Sequence, residues 1–203
     1  LEGRTLYIPR MSAGGAESFA AAFRYLGIEA GLVPEGDERT YELAARGTSG
    51  DECLPARITI GNFLKIAEKP GFDPSHAAFF LPTAGGPCRF GQYAPFTARV
   101  LEEMGLEEIL LVSPTSADGY SSLGENASSA VKLGWWGLVG SDALRKMLHI
   151  YRPHETEAGA ADRDAASAQS SRESLEGVVS ADENVDGRFT FLLELRHPLL
   201  GVM

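Results

Sequence analysis

Cysteine and histidine are scarce in this sequence. Its 203 residues include two cysteines and four histidines. Two cysteines cannot build a disulfide scaffold, and neither stands in a C-x-x-C pair. The histidines are scattered and none has a partner at H-x-x-x-H spacing, so the common zinc patterns are excluded. With no disulfide framework and no signal peptide at its start, the chain is expected in the reducing cytoplasm.

Positive charge and long apolar runs are also scarce. There are 18 Lys and Arg residues against 28 Asp and Glu residues, which gives a net charge of −10. Such a surface repels phosphate backbones and anionic lipid. No stretch approaches the roughly 20 apolar residues that span a bilayer. The composition therefore excludes nucleic acid and membranes as expected partners.

The usual signatures of nucleotide binding and of serine hydrolysis are missing. Gly14 and Gly15 follow the first predicted strand, but they match neither G-x-G-x-x-G nor G-x-x-x-x-G-K-[ST]. A tight strand-to-helix turn is the favoured interpretation of this pair. No G-x-S-x-G elbow is present either. A kinase or a hydrolase is therefore not favoured.

Short apolar runs alternate with amphipathic segments along the first half of the chain. Apolar runs predict strands at 5–8, 28–33, 77–81 and 109–112, and helical spacing predicts helices at 16–26, 37–45, 57–68 and 92–104. The run at 77–81 is almost continuously apolar, which is typical of a strand covered on both faces. This order predicts an α/β fold, a three-layer Rossmann-like domain with a mostly parallel sheet.

The second half predicts a helical C-terminal segment. Residues 127–147 read as helical, with a break near Gly134 to Gly140. We expect an α/β domain over 1–154 and a helical or linker segment over 155–188, in which 156–180 is polar enough to be either a solvated helix or a linker. Residues 189–203 would be strands that complete the sheet or begin a further domain. That apolar end predicts a piece of a longer protein.

The two cysteines lie in similar surroundings. Cys53 and Cys88 both stand in glycine- and proline-flanked loops just before a predicted helix. Loops after parallel strands meet at the carboxyl edge of the sheet, so both thiols are expected there. A helix N-terminus stabilises a thiolate and suits an anionic iron–sulfur cluster. The alternative is that both are buried small apolar side chains.

Three segments carry a family resemblance. They read Y-I-P-R-M-S at 7–12, T-S-G-D-E-C-L-P at 48–55 and P-T-A-G-G-P-C-R-F-G-Q-Y at 82–93. They resemble the 2-hydroxyacyl-CoA dehydratase and CoA-enzyme activase family, in particular the dehydratase-like region of its large activator-type proteins. The likeness covers about residues 4–154, with a weaker echo at 198–202. The G-P-C-R-x-G-Q-Y string is the most specific part.

The resemblance implies ATP-driven, low-potential electron transfer, with Cys53 and Cys88 at positions that bind a [4Fe–4S]-type cluster. It also implies that ATP belongs to a separate activator module and that an acyl-CoA or another small molecule is the substrate of the whole protein. Some relatives have a further cysteine where this sequence has Ala56, and two thiolates are too few for an ordinary cubane. This chain alone is therefore expected to be inactive, with a labile cluster or none. The residues expected around the cluster are Thr83, Gly85, Gly86, Arg89, Gly91 and Gln92.

A second hypothesis of a different class remains open. A non-catalytic scaffolding or interaction domain would keep the fold and lose the cluster. The alanine at position 56 and the missing third ligand favour that alternative.

Overall fold

A computed structural model describes residues 1–170 of the chain. The predicted α/β class is confirmed: four parallel strands form one sheet, with helices on both faces. The strands are β1 (Thr5–Ile8), β2 (Ala30–Leu32), β3 (Ala77–Phe80) and β4 (Leu110–Val112), and the helices are α1 (Ala13–Tyr25), α2 (Glu38–Gly47), α3 (Leu54–Ala67), α4 (Tyr93–Glu103), α5 (Ala127–Tyr151) and α6 (Ala160–Ser170).

The strand order in the sheet is β2-β1-β3-β4. Leu6 pairs with Ala30 on one side and with Ala78 on the other, so β1 is a central strand. From β1 the chain continues to β2 at one edge of the sheet, and from β3 it continues to β4 at the other edge. The loops that follow the neighbouring strands β1 and β3 therefore lead in opposite directions. Open α/β sheets bind their ligands in the crevice between two such loops.

Alternate side chains of the central strands divide the core into two layers. Phe79 belongs to the layer that α2, α3 and α4 cover, whereas Phe80 belongs to the layer that α1 and α5 cover. All four residues of β3 are buried. The continuous apolar run at 77–81 therefore has the cause expected from the sequence, which is burial on both faces.

Local capping explains where two helices begin. The Ser12 Oγ accepts a hydrogen bond from the Gly15 amide at 3.0 Å, so α1 begins at Ala13 rather than at the predicted residue 16. Cys53 is the N-cap of α3, with Pro55 in its first turn, so this helix begins at Leu54 rather than at 57. This earlier start places the Cys53 thiol directly at the end of a helix.

The predicted break near Gly134 to Gly140 is wrong, because α5 runs unbroken from Ala127 to Tyr151. Its glycines lie where the helix crosses α1. A Cβ at Gly134 would collide with the Phe19 ring, and one at Gly137 would collide with the Ser18 side chain. These glycines therefore allow α5 to pack closely against α1. The close packing offsets the roughly 1 kcal/mol that a glycine costs inside a helix.

The polar segment after 155 contains α6, which packs against α5. The expected continuation over 171–188, the strands at 189–203 and the motif echo at 198–202 lie outside the described residues. Within residues 1–170, none of the helices combines the length and the apolar character needed to cross a bilayer.

Candidate cysteine site

Cys53 is positioned by a short, internally bonded loop. The Glu52 carboxylate accepts hydrogen bonds from the Ser49 amide at 3.1 Å and from the Gly50 amide at 3.0 Å. The next residue, Cys53, has an extended backbone and caps α3. Its half-buried thiol therefore lies at the positive end of a 14-residue helix.

The loop that follows β3 holds the second cysteine. Thr83 fixes both ends of this loop: its amide donates to the Pro114 carbonyl at 3.0 Å and its hydroxyl to the Gly91 carbonyl at 3.3 Å. A Cβ on Gly91 would lie 2.7 Å from the Ala84 carbonyl oxygen, so the close crossing of the loop requires glycine there. Gly86, at φ +119°, also adopts a conformation that L side chains avoid.

Cys88 is exposed and begins the turn that leads into α4. Its Sγ accepts a long hydrogen bond, at 3.5 Å, from the Phe90 amide. The neighbouring Arg89 guanidinium donates to the Asp51 carbonyl at 3.1 Å. This hydrogen bond ties the Cys88 loop to the loop that carries Cys53.

Tyr93, the first residue of α4 after the Cys88 loop, contacts Cys53. Its phenol oxygen lies 2.9 Å from the Cys53 Sγ, although all of α3, all of β3 and the Cys88 loop separate the two residues in the chain. The side chain is 7% exposed, and its ring makes an edge contact with Phe90 at 5.2 Å between centroids. A buried aromatic at the first position of α4 thus contacts one thiol and follows closely after the other.

The electrostatics of the site favour negative charge on Cys53. The Tyr93 hydrogen bond is the largest influence that lowers the pKa of the Cys53 thiol, and the Ala56 amide and the charge of Arg89 act in the same direction against the effect of burial. Burial raises the pKa of Tyr93 far above its ordinary value. The hydrogen bond to Cys53 and the charges of Cys53 and Cys88 raise it further. The phenol therefore keeps its proton and can donate it in the hydrogen bond to the Cys53 sulfur.

An open pocket of about 490 Å³ lies beside Cys53. Its walls come from the Cys53 loop and from the first turns of α4, and its cations are Arg89 and Arg99. Further lining residues are Asp51, Glu52, Gln92, Tyr93 and Phe96. A half-buried thiol, two guanidinium groups and two aromatic rings thus face one solvent-accessible space.

The expected site residues therefore fall into two groups. Cys53, Arg89 and Gln92 line the pocket, whereas Thr83, Gly86 and Gly91 shape the loop that carries Cys88. A Cβ on Gly85 would have no neighbour within 4 Å, so no close approach on that side requires glycine there.

The sequence motif includes Tyr93, but sequence reasoning gave it no role. The one feature of the sequence that could have indicated a role is the position of this tyrosine directly after the Cys88 turn. Its contact with Cys53 depends on tertiary packing.

The two thiols are half the number of ligands in a four-thiolate cluster, and only Cys53 lines the pocket. Thiolates are the ligands of iron–sulfur clusters, and both cysteines here are at least partly accessible. Within residues 1–170, no group of three or more Cys, His, Asp and Glu side chains is arranged to hold a metal ion. Any cluster held here would therefore need further ligands in addition to Cys53 and Cys88.

Comparison with known proteins gives no match to a family model, to a curated protein or to a solved structure. The functional interpretation therefore depends on the site itself and on the motifs.

The lowered pKa of Cys53 predicts a distinct pH profile for its alkylation. In a Cys88→Ser variant, the midpoint of the iodoacetamide rate should lie below the value of about 8.5 that is usual for a thiol. A lower pKa means that more thiolate is present at any pH below that value, so the rate rises earlier as pH increases. The reference is the same thiol in the urea-unfolded chain. A folded midpoint equal to or above the unfolded one would contradict the prediction.

Proposed function

We propose that this chain is a dehydratase-like domain of the kind found in 2-hydroxyacyl-CoA dehydratases and CoA-enzyme activases. Its role would be to supply Cys53 and Cys88 as two ligands of a [4Fe–4S]-type cluster in low-potential electron transfer. The observation that carries the proposal is that the segment holding Cys88 reaches the Cys53 loop at two points: the Arg89 guanidinium donates to the Asp51 carbonyl at 3.1 Å, and the Tyr93 phenol oxygen lies 2.9 Å from the Cys53 Sγ. The motif resemblance supplies the family and the type of cluster.

The surroundings of the thiols support this role. A cluster with four thiolates carries net negative charge, which the N-terminus of α3 and the Arg89 guanidinium would offset. The tie between Arg89 and Asp51 would hold the two cysteine loops at a fixed separation. When bound, the cluster would supply one-electron transfer, and the chain's own residues would position it and tune its charge.

The rest of the proposed system lies in other parts of the protein or in a partner. Two further ligands would come from another domain, and ATP hydrolysis would take place on a separate activator module, consistent with the missing phosphate-binding motif. The substrate of the complete assembly would be an acyl-CoA or another small molecule. A reducing compartment such as the cytoplasm would suit both free thiols.

Iron loading tests the proposal. The chain would be reconstituted anaerobically with ferrous iron and sulfide, with excess 2-mercaptoethanol to supply the missing ligands. We expect bound iron and acid-labile sulfide, with an EPR signal after reduction. Cys53→Ala and Cys88→Ala should each lower the iron content about tenfold or more, since lost supporting contacts alone cost 10–100-fold in metal affinity.

His76→Ala is the matched control. His76 is exposed and bonded to Asp73 at the amino end of β3, away from the cysteines, so its loss should leave the iron content unchanged. Equal iron in wild type and in both cysteine variants would mean nonspecific binding and would refute the site. A wild-type chain that holds no iron even with 2-mercaptoethanol in place of the two missing ligands would refute the cluster and favour the non-catalytic interaction domain.

A further inference from the structure

The pocket beside Cys53 combines a thiol with two cations and an apolar wall. Its volume of about 490 Å³ lies in the range that is usual for small-molecule sites. The guanidinium groups of Arg89 and Arg99 line it together with the Cys53 thiol, and the apolar wall is formed by Ala56, Tyr93, Pro95 and Phe96. These groups suit a molecule that has an apolar or aromatic body and a negative charge.

Both guanidinium groups keep donors for such an anion. Arg89 uses its Nη1 for the Asp51 carbonyl, and the Nε of Arg99 lies 3.4 Å from the Glu103 carboxylate. A guanidinium has five N–H donors, so these contacts leave further donors on each side chain. The Arg99 guanidinium also lies 4.9 Å from the centre of the Phe96 ring, which holds it over the apolar wall.

Two carboxylates line the same pocket and oppose a bound anion. The Glu52 carboxylate accepts hydrogen bonds from the Ser49 and Gly50 amides, which compensate part of its charge. Asp51 holds Arg89 through its backbone carbonyl, so its side chain takes no part in that hydrogen bond. The two guanidinium groups are therefore opposed chiefly by the Asp51 carboxylate.

The thiol itself is in a setting that favours reaction. Cys53 is half-buried at the N-terminus of α3, and the Tyr93 phenol oxygen lies 2.9 Å from its Sγ. Both neighbours stabilise a thiolate, in agreement with the lowered pKa of this thiol. The thiolate is the form that attacks disulfides.

We propose that Cys53 forms a mixed disulfide with a small anionic thiol, which the pocket receives in its disulfide form. The Cys53 sulfur, whose proton goes to solvent, forms a bond with one sulfur of the incoming disulfide. The original S–S bond breaks, and its electron pair leaves on the other sulfur as a thiolate. Cys53 is thereby oxidised and the departing half is reduced, while Arg89 and Arg99 bind the anionic group of the half that stays.

This inference concerns the thiol without metal and goes beyond the proposed function. Two aromatic disulfides that differ in charge test it: dithiobis(nitrobenzoate) carries a carboxylate on each ring, whereas dithiodipyridine is neutral at neutral pH. In a Cys88→Ser variant, Cys53 is the only thiol, so the absorbance of the released half measures its reaction alone. The ratio of the anionic to the neutral rate constant cancels changes in the thiolate fraction. We expect this ratio to be about tenfold higher in the folded chain than in urea.

Three further variants relate the ratio to the pocket. Arg99→Gln should lower it about fivefold, since one unit charge close to the bound anion is removed. Asp51→Asn should raise it, because the change removes the opposing carboxylate and keeps the carbonyl that holds Arg89. Arg163→Gln is the matched control and should leave the ratio unchanged. Arg163 pairs with Glu157 beside α6, which packs on α5 across the sheet from the pocket.

The outcomes also keep this proposal apart from the cluster. A folded ratio no higher than the unfolded one would overturn the mixed disulfide, and so would equal losses in Arg99→Gln and Arg163→Gln, which would indicate the net charge of the protein. Should Arg99→Gln fail to fold, as judged by circular dichroism, the increase expected for Asp51→Asn decides. Iron loading and disulfide exchange are measured separately, so either proposal can fail while the other stands.

Discussion

Replacing Phe79 with alanine is expected to lower the free energy of unfolding by about 4 kcal/mol, because it removes a fully buried ring from the centre of the sheet. Phe79 has no exposed surface and stacks on Phe63 with 4.2 Å between ring centroids. Its other edge meets the Tyr7 ring at 6.2 Å. The loss combines the transfer free energy of the ring with the cost of a cavity that β3 and α3 cannot close.

Urea denaturation followed by circular dichroism measures this change. A typical domain has a total stability of about 5–15 kcal/mol, so Phe79→Ala should shift the midpoint strongly at constant m-value. Tyr41→Ala is the control, since that ring is 44% exposed on α2 and should cost about 0.5 kcal/mol or less. Equal losses in both variants would show that the layer between the sheet and α3 is not the main source of stability.

Gly61→Ala should also destabilise the protein, although alanine is the better helix former. Inside a helix, this change normally stabilises by about 0.5–1 kcal/mol. Here, however, a Cβ at Gly61 would collide with the backbone carbonyl of Thr40 where α3 crosses α2. Thr40 is itself buried and hydrogen-bonded to Asn62, so it cannot move aside cheaply. We expect a net loss of about 2 kcal/mol from this overpacking.

The decisive result for Gly61→Ala is whether the free energy of unfolding falls or rises. Gly31→Ala is the matched control, because Gly31 lies in β2 with open space where the Cβ would go. That variant should stay within about 0.5 kcal/mol of wild type in the same urea titration. A Gly61→Ala protein more stable than wild type would show that α2 and α3 can separate without penalty.

The fold was largely predictable from the sequence because its signals are local. Apolar runs marked all four strands, and β1 was predicted with the bounds it has. Errors arose where a tertiary contact overrides a local tendency. The glycines of α5 predicted a break, yet they are needed for the close approach to α1, and neither the contact nor its partner Phe19 can be read from spacing.

The candidate site was predictable only in part. The settings of Cys53 and Cys88 indicated helix N-termini at the carboxyl edge of the sheet, which follows from chain order alone. The contact between Cys53 and Tyr93 was not predictable, because it joins residues 40 positions apart in the chain and depends on tertiary structure. The hydrogen bond from Arg89 to Asp51 was missed for the same reason, since sequence reasoning expected only compensating charge from that arginine.

The central position of β1 has a consequence for how the chain is made. This strand is synthesised before the other three strands described here, but one of its two neighbours is β3, whose residue Ala77 pairs with Thr5. During translation, the backbone groups on one edge of β1 therefore stay unpaired until β3 has left the ribosome. Unpaired strand edges favour aggregation. Nascent chains that end before β3 would be the species most in need of chaperones.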